Sequence, residues 1–92
     1  MPKVTMTSHL YRFFPALEGL EIRVSAGSVA DALAELNQLA PNFSDYILDD
    51  TGALRRHVNL CINNELIVDR KKLSDQLGDE DTLYIFQALT GG

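Results

Sequence analysis

The residues with most chemical potential close the sequence, where Gly91 and Gly92 follow Ala88, Leu89 and Thr90. Glycine carries no Cβ, so such an end can thread a narrow channel and adopt backbone angles closed to other residues. From Ala88 to Gly92 an extended chain reaches roughly 17 Å. A terminal carboxylate has a pKa of roughly 3.5 and is ionised at neutral pH. Resonance makes it a poor electrophile, so nothing attacks it unaided. Taken alone, two closing glycines read first as a floppy terminus, and it is the rest of the chain that changes that reading.

Other reactive groups offer less. Cys61 and His57 fall on one face of a candidate strand, but four steps of about 3.3 Å separate them by roughly 13 Å. That is too far for a hydrogen-bonded nucleophile and base, or for a shared metal. The acidic run Asp79, Glu80, Asp81 lacks the ligand spacing of a calcium loop and reads as a solvated turn. Gly27-Ser28 opens a helix without the glycine-rich spacing of a phosphate loop. His9 stands alone. The single cysteine excludes an internal disulfide, an all-cysteine iron–sulfur cluster and a multi-cysteine zinc site, and it fits a reducing compartment. No metal site is expected.

The 92 residues suffice for one domain with a modest core, and the 46% hydrophobic content is that of a globular chain. A net charge of −5 argues against nucleic acid as a partner. Arg55-Arg56 and Arg70-Lys71-Lys72 form two short basic groups, each flanked by acids, and read as solvated surface. No apolar run approaches the roughly 20 residues of a membrane span. The opening Met1-Pro2-Lys3-Val4-Thr5 lacks the apolar block of a signal peptide. A cytoplasmic protein without a membrane partner is expected.

The elements that must position the Gly-Gly end follow from periodicity. Lys3 to Phe13 reads as a first strand, broken at Phe14-Pro15 and turned at Glu18-Gly19 into a second strand with Leu20, Ile22 and Val24 inward. Ser28 and Asp31 have capping-box spacing at the head of a helix whose Val29, Ala32, Leu33, Leu36 and Ala40 form one stripe, ended by Pro41. Phe43, Tyr46 and Ile47 suggest a short helical turn. Val58, Leu60 and Ile62 alternate in a third strand, Asn63-Asn64 turns, and Glu65 to Val68 pairs back. Leu73 to Leu77 reads as one helical or irregular turn, and Thr82 to Phe86 as the last strand. A hairpin, one long crossover helix and further strands make an α+β roll, its first and last strands parallel at the centre of a mixed sheet of four to five strands. One main helix covers one face, leaving the other wet or partnered.

This pattern resembles the ubiquitin-like sulfur-carrier family, whose members include the thiamin carrier, the molybdopterin synthase small subunit and the carriers of cysteine synthesis. The resemblance spans nearly the whole chain. It rests on Leu89-Thr90-Gly91-Gly92, on Gly78-Asp79-Glu80-Asp81-Thr82-Leu83 leading into the last strand, and on Arg56-His57-Val58-Asn59-Leu60-Cys61-Ile62-Asn63. Cys61 and His57 replace aromatics usual in the cysteine-synthesis carriers, which that third stretch otherwise resembles. Arg12 also fits the family pattern. The resemblance implies a β-grasp domain over residues 1–87 and a flexible tail over 88–92.

It further implies the chemistry. An E1-like adenylating and sulfurylating enzyme, using ATP-Mg, transfers AMP to the Gly92 carboxylate. A sulfur nucleophile displaces AMP to leave a thiocarboxylate, and a downstream sulfur-inserting biosynthetic enzyme consumes it. The chain itself is then no enzyme and binds no cofactor of its own. Phe86, Ala88, Leu89, Thr90 and Gly91 are the residues expected to be gripped by the activating enzyme. Alternation places either Leu83 and Ile85 or Tyr84 and Phe86 on the covered face; the family pattern turns Phe86 outward. Cysteine or another sulfur-containing metabolite is the favoured destination, with molybdopterin and thiamin open. Two other uses stay open: a ubiquitin-like modifier joined to lysines, and an interaction subunit whose tail never reacts.

Overall fold

A computed structural model describes residues 1–19, 21–25 and 27–87. Its centre is a five-stranded mixed sheet. Strand β1 (Lys3–Met6) lies between β2 (Ile22–Arg23) on one side and β7 (Thr82–Gln87) on the other; β4 (Val58–Ile62) follows β7, and β5 (Glu65–Leu66) closes the edge. The β1–β7 pair is parallel, running from Lys3 opposite Thr82 to Met6 opposite Ile85. The other pairs are antiparallel. β3 (Gly27–Ser28) and β6 (Gln76–Leu77) form a second, two-stranded sheet. This is the β-grasp arrangement expected from the element order.

The main helix, α2 (Val29–Leu39), begins where the sequence places it, and its start is built from side chains. Ser28 Oγ accepts the Asp31 N–H at 3.1 Å, and Asp31 Oδ2 accepts the Ser28 N–H at 3.4 Å, so both halves of the capping box form. The same cap explains Gly27: its φ is +154°, and an added Cβ would meet Asp31 Oδ2 at 3.0 Å. Val29, Ala32, Leu33, Leu36 and Ala40 are buried in one cluster with Val4, Met6, Val58, Leu60, Leu83 and Ile85 from the sheet. Each fully buried branched side chain contributes roughly 1.5–3 kcal/mol relative to exposure, so this seam dominates the stability. Pro41 follows the end of the helix, and α3 (Phe43–Ile47) then buries Phe43 and Ile47 in the same core. No described helix is long and apolar enough to cross a membrane.

The structure corrects the sequence reading at three places. The first strand does not run to Phe13: it stops at Met6, and Ser8–Phe13 is a short helix, α1, followed by a 3-10 turn at Pro15–Leu17. Leu10, Phe14 and Leu17 are spaced at i, i+4 and i+7, and that helical period overrides the β propensity of Tyr11 and Phe13. Arg12 accordingly sits in the last turn of α1, not in a strand.

Leu73–Leu77, read as one helical or irregular turn, is irregular at its start but ends in a strand, β6 (Gln76–Leu77). The irregular part is organised by Asp69, whose carboxylate accepts the N–H groups of Lys71, Lys72 and Ser74 and the Ser74 hydroxyl. These bonds, led by that from Lys72, lower its pKa from 3.8 to about 2. The turn places Leu73 at φ +57° with its side chain buried, and the chain then enters β6.

Arg70 is not a solvated charge. It is half-buried, with Nη2 donating to the carbonyls of Arg55 (2.8 Å) and Val58 (2.9 Å) and Nη1 to Asn59 Oδ1 (3.3 Å). It ties the 69–74 loop to the start of β4.

Candidate functional site

β7 carries the polypeptide toward Gly92, and its alternation is resolved by burial. Leu83 and Ile85 are fully buried, whereas Tyr84 is exposed and Phe86 half-buried on the opposite face. The Tyr84 and Phe86 rings stack, with centroids 5.3 Å apart and planes 21° apart. The arrangement in which those aromatics form the core is therefore overturned, and Phe86 lies on the face that α2 does not cover.

Register defines that open face. Thr5 pairs with Tyr84, Tyr84 with Cys61, and Cys61 with Leu66, giving one row across β1, β7, β4 and β5. Phe86 pairs with Asn59 in the next row. Leu66, 64% exposed, extends the apolar surface to the sheet edge. Cys61 is half-buried within the row. His57 precedes β4, is exposed, and belongs to a different neighbourhood from Cys61; the two do not form a nucleophile–base pair. Among the described residues no group of three His, Cys, Asp or Glu side chains can hold a metal ion. In the Gly78–Asp81 turn, Asp81 accepts the Gly78 N–H and the Asn63 side-chain amide, which lowers its pKa. Asp81 thus caps the turn, while Asp79 and Glu80 are exposed.

Gln87, the last residue of β7, is the root from which residues 88–92 continue. Tyr46 of α3 donates its hydroxyl to Gln87 Oε1 at 3.1 Å, fixing that root to the helical layer. Tyr46 also packs against Phe13 and Phe14, with ring centroids 5.3 and 5.6 Å away, and His9 meets Phe13 edge-on at 5.2 Å. Beside the root opens a cleft of about 290 Å³ lined by Asp45, Tyr46, Arg55, His57, Val58 and Gln87. Sequence reasoning missed the parts played by Tyr46, Phe13 and Arg55 here. The helical spacing of Phe43, Tyr46 and Ile47 signalled a turn, but no local pattern pointed from Tyr46 to Gln87, 41 residues away. Of the expected site residues the structure places Phe86; Ala88, Leu89, Thr90, Gly91 and Gly92, and the tail assigned to them, lie outside the described residues.

The fold is shared with solved proteins of low sequence identity. A chain of the Amycolatopsis orientalis BexX/CysO complex superposes with a TM-score of 0.82 at 19% identity, covering 100% of both chains. Mycobacterium tuberculosis CysO gives 0.80 at 22% identity, over 97% of this chain and 100% of that one. SAMP1 from Haloferax volcanii gives 0.72 at 23% identity, over 98% and 97%. No curated protein sequence matches significantly. The ThiS family model matches residues 13–92. That match takes in most of the sheet, all of α2 and the Gly91-Gly92 end, and the chain belongs to the ThiS family of ubiquitin-like sulfur carriers.

Proposed function

We propose that this protein is a sulfur donor whose reacting group is the carboxylate of Gly92. An E1-like partner with ATP-Mg converts the carboxylate to an acyl-adenylate, releasing pyrophosphate. Sulfide attacking the carbonyl carbon displaces AMP and leaves Gly92 as a thiocarboxylate directly. A persulfide of the partner displaces AMP to give an acyl disulfide; a second thiol of the partner then cleaves its S–S bond, forming a disulfide with the persulfide's inner sulfur and releasing the Gly92 thiocarboxylate. A downstream enzyme takes that sulfur into a biosynthetic product, with cysteine or a sulfur-containing metabolite favoured over molybdopterin and thiamin. Catalysis resides on the partners, and this chain supplies a positioned acyl group in a cytoplasmic setting, much as a group-carrying cofactor does.

The observation that carries this reading is the ThiS-family match, which extends through Gly91 and Gly92. The body suits the role: a 1–87 domain presents residues 88–92 from the end of a central strand whose open face carries Phe86. Glycine at 91 and 92 leaves room for the adenylating site to approach the carbonyl from several sides. We expect Gly92→Ala to keep the folded spectrum of the wild type while its ATP-dependent pyrophosphate exchange with an E1-like enzyme falls sharply. Unchanged exchange in that variant would remove the steric argument.

A second use is favoured by one resemblance. Small archaeal modifier protein 1 of H. volcanii shares the fold, with a TM-score of 0.72 at 22% identity. Conjugation to lysines would use the same first step, and adducts on other proteins, in place of a free thiocarboxylate, would mark it.

A further inference from the structure

We propose that the free edge of β5 takes up an extended, basic segment of a partner protein as an added strand, with an arginine or lysine of that segment in the acidic groove beside it. The site lies at the end of the sheet opposite β2 and is independent of the chemistry at Gly92.

β5 closes the sheet, so among the described residues no strand lies on its outer side. The Ile67 N–H donates to the Leu60 carbonyl at 3.0 Å, which makes Cys61–Leu66 the non-hydrogen-bonded pair of the β4–β5 hairpin. The Leu66 N–H and C=O therefore point outward, and no described loop or turn bonds to either. Two residues on, the outward Val68 N–H is taken by Asp75 Oδ2 at 2.9 Å, which confines an added strand to the few residues around Leu66. An unpaired edge of this kind is a template for strand addition. Its side chains are apolar and in water: Leu66 is 64% exposed and Val68 90%.

The groove along this edge decides what kind of segment fits. It measures about 380 Å³, with Ile62 and Ile67 supplying apolar wall and Glu65, Asp75 and Asp81 supplying charge. No Lys or Arg lines it. Among the described residues the ion pairs within 4.0 Å are Met1 with Asp79 and Arg23 with Glu21, so none involves these three acids. Lys71 and Lys72 give their backbone N–H groups to Asp69 and line no part of the groove. Asp75 also accepts the Asp69 N–H at 2.8 Å, and Asp81 accepts the Gly78 N–H at 2.7 Å and the Asn63 amide at 2.6 Å. These donors are neutral: they hold two carboxylates in place without cancelling their charge. The lowered pKa of Asp81 comes from the Gly78 bond first and then the Asn63 bond, with no cation contributing. An arginine or lysine suits such a groove, its stem against Ile62 and Ile67 and its head among the carboxylates. A second copy of this chain would bring its own Glu65 and Asp75 to the same edge, and like charges facing across a strand pair are destabilising. Charge therefore selects a basic partner over self-pairing.

The test is a titration of the 15N-labelled full chain with a capped six-residue peptide of alternating valine and arginine, read by NMR and amide hydrogen exchange. The Glu65, Leu66 and Val68 amide signals should shift together, and salt should weaken the response. Exchange at the Leu66 amide should slow roughly fivefold at saturation, the worth of about one net hydrogen bond. Glu65→Gln, at an exposed position, should weaken binding roughly two- to fivefold, the range of an exposed ion pair. The same peptide N-methylated at alternate amides loses the main-chain donors that would face β5 and should not bind, a control that alters no residue of the protein. A valine–glutamate peptide should produce no shifts. An equal response to either control peptide, shifts centred on Tyr84 and Phe86, binding unaltered by Glu65→Gln, or no shifts with the valine–arginine peptide would overturn the proposal. A stable dimer in sedimentation, with the Leu66 amide protected before any peptide is added, would overturn it in favour of self-pairing.

Discussion

The two faces of β7 differ in every respect that matters here. Leu83 and Ile85 turn toward α2 and are fully buried; Tyr84 and Phe86, one residue away on the same backbone, turn outward and stack on each other. The inner face meets the helix stripe of Val29, Ala32, Leu33 and Leu36 in a continuous core, so its side chains are fixed by packing from several elements. Among the described residues, the outer face meets Thr5, Cys61 and Asn59 across the neighbouring strands. One strand thus has two kinds of residue: its inner ones hold the fold, and its outer ones lie on the face that α2 does not cover. On the proposed function, a stacked aromatic pair left open on the strand that leads to Gly92 is a candidate hot spot for the partner.

That division makes the two faces unequal under mutation. Ile85→Ala, on the buried side, should cost about 2–5 kcal/mol, a large share of the roughly 5–14 kcal/mol expected of a domain this size. Urea unfolding would show it as a lower midpoint with an unchanged slope. Phe86→Ala should cost about 1–2 kcal/mol, because its ring is already partly in water and loses mainly its stacking on Tyr84. Its greater effect should fall on the concentration of carrier needed to half-saturate the activating enzyme. If Phe86→Ala proved as destabilising as Ile85→Ala, the open face would be a second core and the division would fail.

The smallest effect at neutral pH belongs to a region remote from both faces, the loop around Asp69. Its pKa is depressed from 3.8 to about 2 by the Lys72 N–H first, then by the Ser74 hydroxyl and the Ser74 and Lys71 N–H groups, with burial opposing. A depressed acid stabilises the fold only while ionised. The contribution is complete above about pH 4 and is lost as the pH falls toward about 2. Asp69→Asn should therefore flatten the decline of Tm between those limits. Some decline should persist, because Asp49 and Asp81 are also depressed by their hydrogen bonds. An unaltered acid profile would show that the loop bonds do not outlive unfolding-scale fluctuations.

Much of the architecture was legible because its signals are local and repeated. The capping box at Ser28, the stripe of α2 and the alternation of β4 and β7 each declare their element within a dozen residues, and their order implies a central parallel pair. The misreadings have equally physical causes. In Lys3–Phe13 a strand pattern passes directly into a helical one, and Tyr11 and Phe13 suit both. β3 and β6 are two residues each, too short to show a period, and exist only because distant segments meet. Arg70 looks like surface charge in sequence, since nothing nearby discloses the carbonyls it reaches in space. For the site, alternation allowed either pair on β7 to face outward, and burial decided for Phe86. The contact between Tyr46 and Gln87, and the cleft it borders, arise from tertiary packing that no single stretch encodes.

The most direct test of the central claim is the intact mass of this protein recovered from its native cells during active sulfur metabolism. The account predicts a free chain ending at Gly92 in which one oxygen has been replaced by sulfur, abolished by Gly92→Ala. A chain that stays unmodified while its activating enzyme turns over ATP, or one found only as lysine adducts of other proteins, would contradict it.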